Sequence, residues 1–264
     1  MSMTMKSEIL RYSLTALAVL LPTYSIFLLA SSEKVVYLTQ EDGIYEAAGA
    51  IFLLLASVFF FITYYRNRKG NDFWLFKTRK NLFFLLLGLL FLFGFGEEIS
   101  WGQRIFGLET PEGLKDANIQ EELNLHNLEI FQMYTKDGEM KTGWTKYLAG
   151  NKLLSLFWAT FCCLVPLLAY AFGPFRRFFE RLNLPIVPLF IGGLFVFNYL
   201  LTKIVGLTFG PEEALLRGPL VETKESAISF LFFGLSYWFF RHPQQATAAD
   251  APEKVTSEAA TIGA

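Results

Sequence analysis

Cysteine and histidine are nearly missing from this chain of 264 residues: there are two of each. Cys162 and Cys163 are adjacent inside an apolar run, a spacing that rarely closes a bridge, which leaves them as small packing residues rather than a redox or metal pair. The histidines, His126 and His242, form neither an HExxH nor any other paired spacing, so the usual metalloprotease signature is absent. No glycine spacing matches a phosphate-binding loop, and no internal repeat is visible. Charged residues make up only 18% of the chain and nearly cancel, with a net charge of -1. That sum hides a sorting by location, and no nucleic acid is expected as a partner.

What the chain has in excess is apolar surface. Hydrophobic residues are 53% and aromatic residues 17%, with 29 Phe and a mean hydropathy of +0.37. This is beyond an ordinary soluble domain and fits a polytopic membrane protein. Six apolar runs, about 9–30, 44–64, 81–100, 153–173, 185–206 and 221–240, each approach the roughly 20 residues needed to cross a 30 Å core. The first run follows Lys6 and Arg11 but is longer than a signal-peptide core, and Leu28 stands where a cleavage site wants a small residue, so it is expected to be retained.

Lys and Arg orient the runs. Arg66, Arg68, Lys69, Lys77, Arg79 and Lys80 crowd the second connection, Arg176, Arg177 and Arg181 the fourth, and Lys6, Arg11 and Arg241 the ends. The positive-inside rule then places both termini in the cytoplasm and the 101–152 segment outside the cell. Pro22, Pro166 and Pro188 are expected to kink their spans, Gly192 and Gly193 to allow close helix contact, and Trp101, Trp144, Tyr147 and Trp238 to anchor at interfaces. Residues 243–264, rich in Ala, Thr and Glu, read as a disordered cytoplasmic tail.

Acidic residues gather at the opposite ends: Glu41, Asp42 and Glu46, then Glu97 and Glu98, then Glu212, Glu213, Glu222 and Glu225. Length makes this more than a solvated loop. The apolar stretch Ala227 to Phe240 covers only about 21 Å at 1.5 Å per residue, so the helix must start near Val221 and draw Glu222 and Glu225 inward. Glu97 and Glu98 likewise complete the third span, and Glu46 the second. Ionisable groups at such depth usually face a bundle interior or a wet cavity.

Glu97 and Glu98 also sit at the negative C-terminal end of their helix, which calls for a cation or a proton. Arg104, Arg217, a protonated His126 or a metal ion could supply it. Glu98 and His126 are the expected catalytic pair. Glu46, Glu97, Arg104, Glu213 and Arg217 are the expected binding residues, with Arg104 as an anion anchor. If the 101–150 segment folds back over the bundle, Glu97, Glu98 and His126 could ligate a divalent metal ion, with Glu122 and Glu129 nearby.

Two resemblances follow. Glu212-Glu213-Ala-Leu-Leu-Arg217 resembles the first motif of the intramembrane CAAX-type protease family, which implies Glu212 and Glu213 as catalytic and Arg217 as supporting; that family's later histidine motifs have no counterpart, since only His242 follows. The phrases Glu41-Asp-Gly-Ile-Tyr-Glu46, Gly96-Glu-Glu-Ile-Ser-Trp-Gly-Gln-Arg-Ile-Phe-Gly107 and Asn124-Leu-His-Asn127 together resemble a group of bacterial multi-pass inner-membrane proteins, a resemblance that carries no activity. The expected molecule is thus an all-α, six-span bundle of the plasma membrane. Its acidic pocket at the outer face serves either an enzyme acting on a lipid or lipid-linked substrate, or a non-catalytic site for a headgroup, ion or partner subunit.

Overall fold

The computed structural model describes residues 3–40, 43–67, 80–210 and 215–242, together with the backbone of 72–73 and 76–77. Glu41, Asp42, Glu212, Glu213 and the 243–264 tail lie outside the described residues.

The chain is all-α, apart from one hairpin of two-residue strands, β1 (Asp72–Phe73) and β2 (Phe76–Lys77). The long helices are α1 (Met3–Leu29), α3 (Ile44–Arg66), α4 (Leu82–Glu98), α10 (Leu189–Leu207) and α11 (Arg217–Arg241). A further long element, Gly150–Ala171, joins α7 (Gly150–Trp158) to α8 (Val165–Ala171) through a π-helical turn at Ala159–Leu164. Short helices α2 (Ser32–Thr39), α5 (Gln103–Phe106), α6 (Glu112–Ala117) and α9 (Gly173–Leu182) fill the connections. Two of them, α2 and α9, fall where hydropathy shows only loop; both are too short to register against the neighbouring spans.

Four elements are long and apolar enough to cross a membrane: Met3–Leu29, Ser32–Arg66, Gly150–Ala171 and Leu189–Leu207. A fifth follows if α4 and the bent segment after it count as one. The last helix, α11, is absent from this set because Glu222, Lys224 and Glu225 load its first turns. Its position explains how it carries that load. It packs against α3 along its length and also against α10, α1 and α2. Twelve of its side chains are buried on several faces, from Leu220 to Phe239, so it is lined by protein on most sides. The lipid-like surface falls on the outer helices instead. In α1, Leu10, Leu14, Leu21 and Leu28 are exposed, while Ala16, Leu20, Tyr24 and Phe27 are buried on the other face.

The core is a chain of phenylalanines. Phe60 stacks on Phe91 at 5.5 Å, Phe91 meets Phe232 at 4.8 Å, and Phe232 meets Phe195 at 5.0 Å, linking α3, α4, α11 and α10. Such pairs contribute about 0.5–1.5 kcal/mol each beyond their burial. Polar ties lock the register. Ser57 Oγ donates to the Gly88 carbonyl at 2.8 Å, and Tyr24 Oη donates to Asn198 Oδ1 at 2.9 Å while lying 2.7 Å from Thr202 Oγ1.

Pro188 corrects one expectation: it precedes α10 as its N-cap residue and kinks nothing. Pro22 does lie inside α1, and Pro166 follows the π turn. Gly192 serves close packing, because a Cβ there would collide with the Cys162 carbonyl oxygen that the π turn pushes toward α10.

Candidate functional site

The apolar run of α4 ends at Gly96-Glu97-Glu98, and the chain then turns sharply. Ser100, Trp101 and Gly102 take φ values of 45°, 53° and 77°, all in the left-handed region. This corner bends the path by 66° into α5. It also swings the Trp101 indole back over Gly96, where an added Cβ would lie 2.8 Å from the ring. A larger residue at 96 would displace the indole, which gives the Gly96 of the sequence phrase its physical reason.

That swing delivers Trp101 Nε1 to Glu97 Oε1, where it donates at 2.7 Å. The other carboxylate oxygen accepts from the backbone N–H of Leu125 at 2.7 Å and of His126 at 2.8 Å. His126 Nδ1 stands 3.5 Å from the same oxygen. Glu97, only 5% exposed, thus clamps the 124–127 turn onto the end of α4.

A second set of bonds stiffens the turn from behind. Asn118 is fully buried; its Oδ1 accepts from Gln120 N at 2.9 Å, and its Nδ2 donates to the Asn124 carbonyl at 2.9 Å and the Glu122 carbonyl at 3.0 Å. Glu122 accepts from Ser100 Oγ at 2.6 Å and from Asn124 Nδ2 at 2.8 Å, and pairs with Arg104. The 118–127 turn is thereby held against the end of α4, with asparagines supplying its internal bonds.

Beneath this cap the acidic residues share one end of the bundle. Glu46 is in the first turn of α3, Glu222 and Glu225 are in the second and third turns of α11, and Glu98 is the last residue of α4. Helices α3 and α11 pack together, and Glu98 lies within Coulombic range of His126, Glu225, Glu46 and Glu97. Glu222 in turn feels Glu225, Glu98 and Glu46. The first turns of α3 and α11 direct positive dipole ends toward these carboxylates, and Lys224 Nζ stands 3.5 Å from Glu225.

The imidazole of His126 has 43% of its side-chain surface open. Burial of the rest opposes its charging, but the Glu97 hydrogen bond and the charges of Glu98, Glu97 and Glu225 outweigh this and raise its pKa above the ordinary histidine value.

The expected site residues therefore divide. Glu46, Glu97, Glu98 and His126 come together. Arg104 is engaged with Glu122 and leaves Glu97 to Trp101 and the loop amides. Arg217 is an exposed residue opening α11, and Glu213 lies outside the described residues. Among the described residues no three His, Cys, Asp or Glu side chains are grouped so as to hold a metal ion, so Glu97, Glu98 and His126 do not form the ligand set expected of them. The reason is that both oxygens of Glu97 are taken up by N–H donors. Glu122 likewise turns to Ser100, Asn124 and Arg104 rather than toward the acidic layer. Sequence reasoning missed Ser100, Asn118 and Asn124 as builders of the site; the repeated Asn in Asn118 to Asn127 was the available signal. No protein-family profile matches the chain, and neither does any curated protein or solved structure.

Proposed function

We propose that this is a six-span membrane protein, α11 being the sixth span, whose acidic mouth faces away from the cytoplasm and performs acid–base chemistry on a lipid or lipid-linked substrate. The 101–152 segment is then its extracytoplasmic cap and both chain ends are cytoplasmic. One observation carries the chemical part of this reading. A buried carboxylate, Glu97, held in place by two loop amides and an indole, faces Nδ1 of His126. A carboxylate so placed fixes the tautomer and direction of an imidazole and favours its taking up a proton. His126 Nε2 has no partner among the described residues, and is the atom that would accept a proton from a substrate hydroxyl or water. Glu98, when protonated, is the neighbouring group able to donate its own proton to the leaving group, while His126 keeps the one it has taken. Glu46, Glu222 and Glu225 would recognise a cationic or hydrogen-bond-donating headgroup.

A second reading, binding of such a headgroup without reaction, rests on the density of carboxylates at the mouth. Lipid profiles of cells carrying the parent, Glu98→Gln or His126→Ala separate the two. Build-up of the same lipid species in both variants, each present at parental level in the membrane, supports the enzyme. Identical profiles in all three overturn it, and retention of an aminolipid by the parent alone then supports binding.

A further inference from the structure

Along one side of α11, α1 and α3 both pack on it but scarcely on each other. The gap is a slot floored by α11. Two cavities lie along it, of about 480 and 330 Å³, and both are lined by Phe230. The larger runs between Tyr12 and Thr15 of α1 and Phe59 of α3, over Phe233 and Tyr237. The smaller continues past Val19 and Thr23 to Phe52, Ala48 and Tyr45. At its far end the slot is closed by Tyr45 Oη, which donates to the Thr23 carbonyl at 3.1 Å. From Arg241 to Ser226 of α11 it is about 22 Å long at 1.5 Å per residue, about the length of an extended acyl chain and most of a roughly 30 Å core. Thr15 on its wall is exposed, so the slot opens sideways.

The mouth of the larger cavity is charged. It is lined by Arg11, Arg241, Glu8 and His242. His242 Nε2 lies 3.0 Å from Glu8 Oε2, and its ring stacks on Trp238 with centroids 4.1 Å apart. Glu8 is thereby occupied, while Arg11 and Arg241 have no ion-pair partner among the described residues. An apolar slot of acyl-chain length that ends at two arginines is complementary to an amphiphile with an anionic head.

We propose that this slot binds one anionic phospholipid, its phosphate held by Arg11 and Arg241 and one acyl chain laid between α1 and α3. The far end of the slot, at Ile44, Tyr45 and Ser226, adjoins Glu46 and Glu225 of the acidic mouth, but the arginine end lies at the opposite end of α11, and the test does not depend on any activity at the mouth. The full chain is placed in phosphatidylcholine nanodiscs containing a trace of phosphatidylglycerol with a diazirine in its acyl chain, and labelled peptides are mapped after irradiation. Labelling is expected on peptides containing Phe59, Phe233 or Tyr237. Arg11→Gln combined with Arg241→Gln should lower it about tenfold, while the Arg→Lys pair keeps most of it and Thr15→Phe, which fills the slot, lowers it regardless of headgroup. Equal labelling by a phosphatidylcholine probe in the parent, or undiminished labelling in the Gln pair, would overturn the proposal. So would competition by free glycerol phosphate, which would show that the phosphate alone is bound, or protection of the slot by a second copy of the chain.

Discussion

Glu97→Gln isolates the clamp, because it keeps the side-chain shape and removes the charge. The amide has one oxygen and one NH₂ where the carboxylate had two acceptors. With the oxygen toward Leu125 and His126, the NH₂ confronts Trp101 Nε1–H; flipped, it confronts the two backbone N–H groups. At least one buried donor is stranded, at about 1–3 kcal/mol, and the surviving bonds fall from charge-assisted strength to roughly 1 kcal/mol each. The loss in docking free energy of the 124–127 turn is thus roughly 3–4 kcal/mol, or two to three orders of magnitude in its opening constant at about 1.4 kcal/mol per tenfold. Hydrogen exchange at the Leu125 and His126 amides in detergent reads that constant directly. Both should exchange at least about a hundredfold faster in the variant, with the α10 amides unchanged. Parental protection at both positions in a variant whose α10 amides stay protected would show that Glu97 does not hold the turn.

The raised pKa of His126 makes docking pH-dependent. A raised native pKa means the folded state binds the proton more tightly. Its stabilisation is complete below the unfolded value near 6.5 and fades as pH rises through the higher native value. Melting curves from acidic to mildly alkaline pH should fall for the parent relative to His126→Asn across that window; parallel curves would contradict the pairing. Gly192→Ala should cost at least about 2 kcal/mol, because the new methyl meets a backbone carbonyl that cannot move aside. A melting temperature within a degree of the parent's would show that α10 and the π turn are not packed this closely.

Much of the helical frame was legible because hydrophobic run length is a strong signal, and α3 and α4 begin within a residue of where hydropathy puts them. The depth argument for Glu46, Glu97, Glu98, Glu222 and Glu225 also pointed to one end of the bundle, since adjoining antiparallel helices must share their ends. Division of labour within that end was not legible. Nothing in two adjacent glutamates says that Glu97 is consumed by Trp101 and two backbone amides while Glu98 is left to the mouth. That outcome depends on the left-handed corner at Ser100 and Trp101, and left-handed φ in non-glycine residues has no reliable sequence mark. Pro188 was misplaced for a related reason: a proline reads alike at a helix start and inside an apolar run. The π turn leaves no compositional trace, and only Gly192 opposite it hints at a close approach.

The corner after α4 has one more implication. Ser and Trp in left-handed backbone each cost about 1–2 kcal/mol, and they keep that shape because the indole is seated on Gly96 and bonded to Glu97. A freed cap would remove the reason for the bend, and a straightened chain would carry Trp101 away from the carboxylate. Bend and cap therefore stand or fall as a unit, and His126 is either presented to the acidic layer or withdrawn from it, with no stable halfway arrangement.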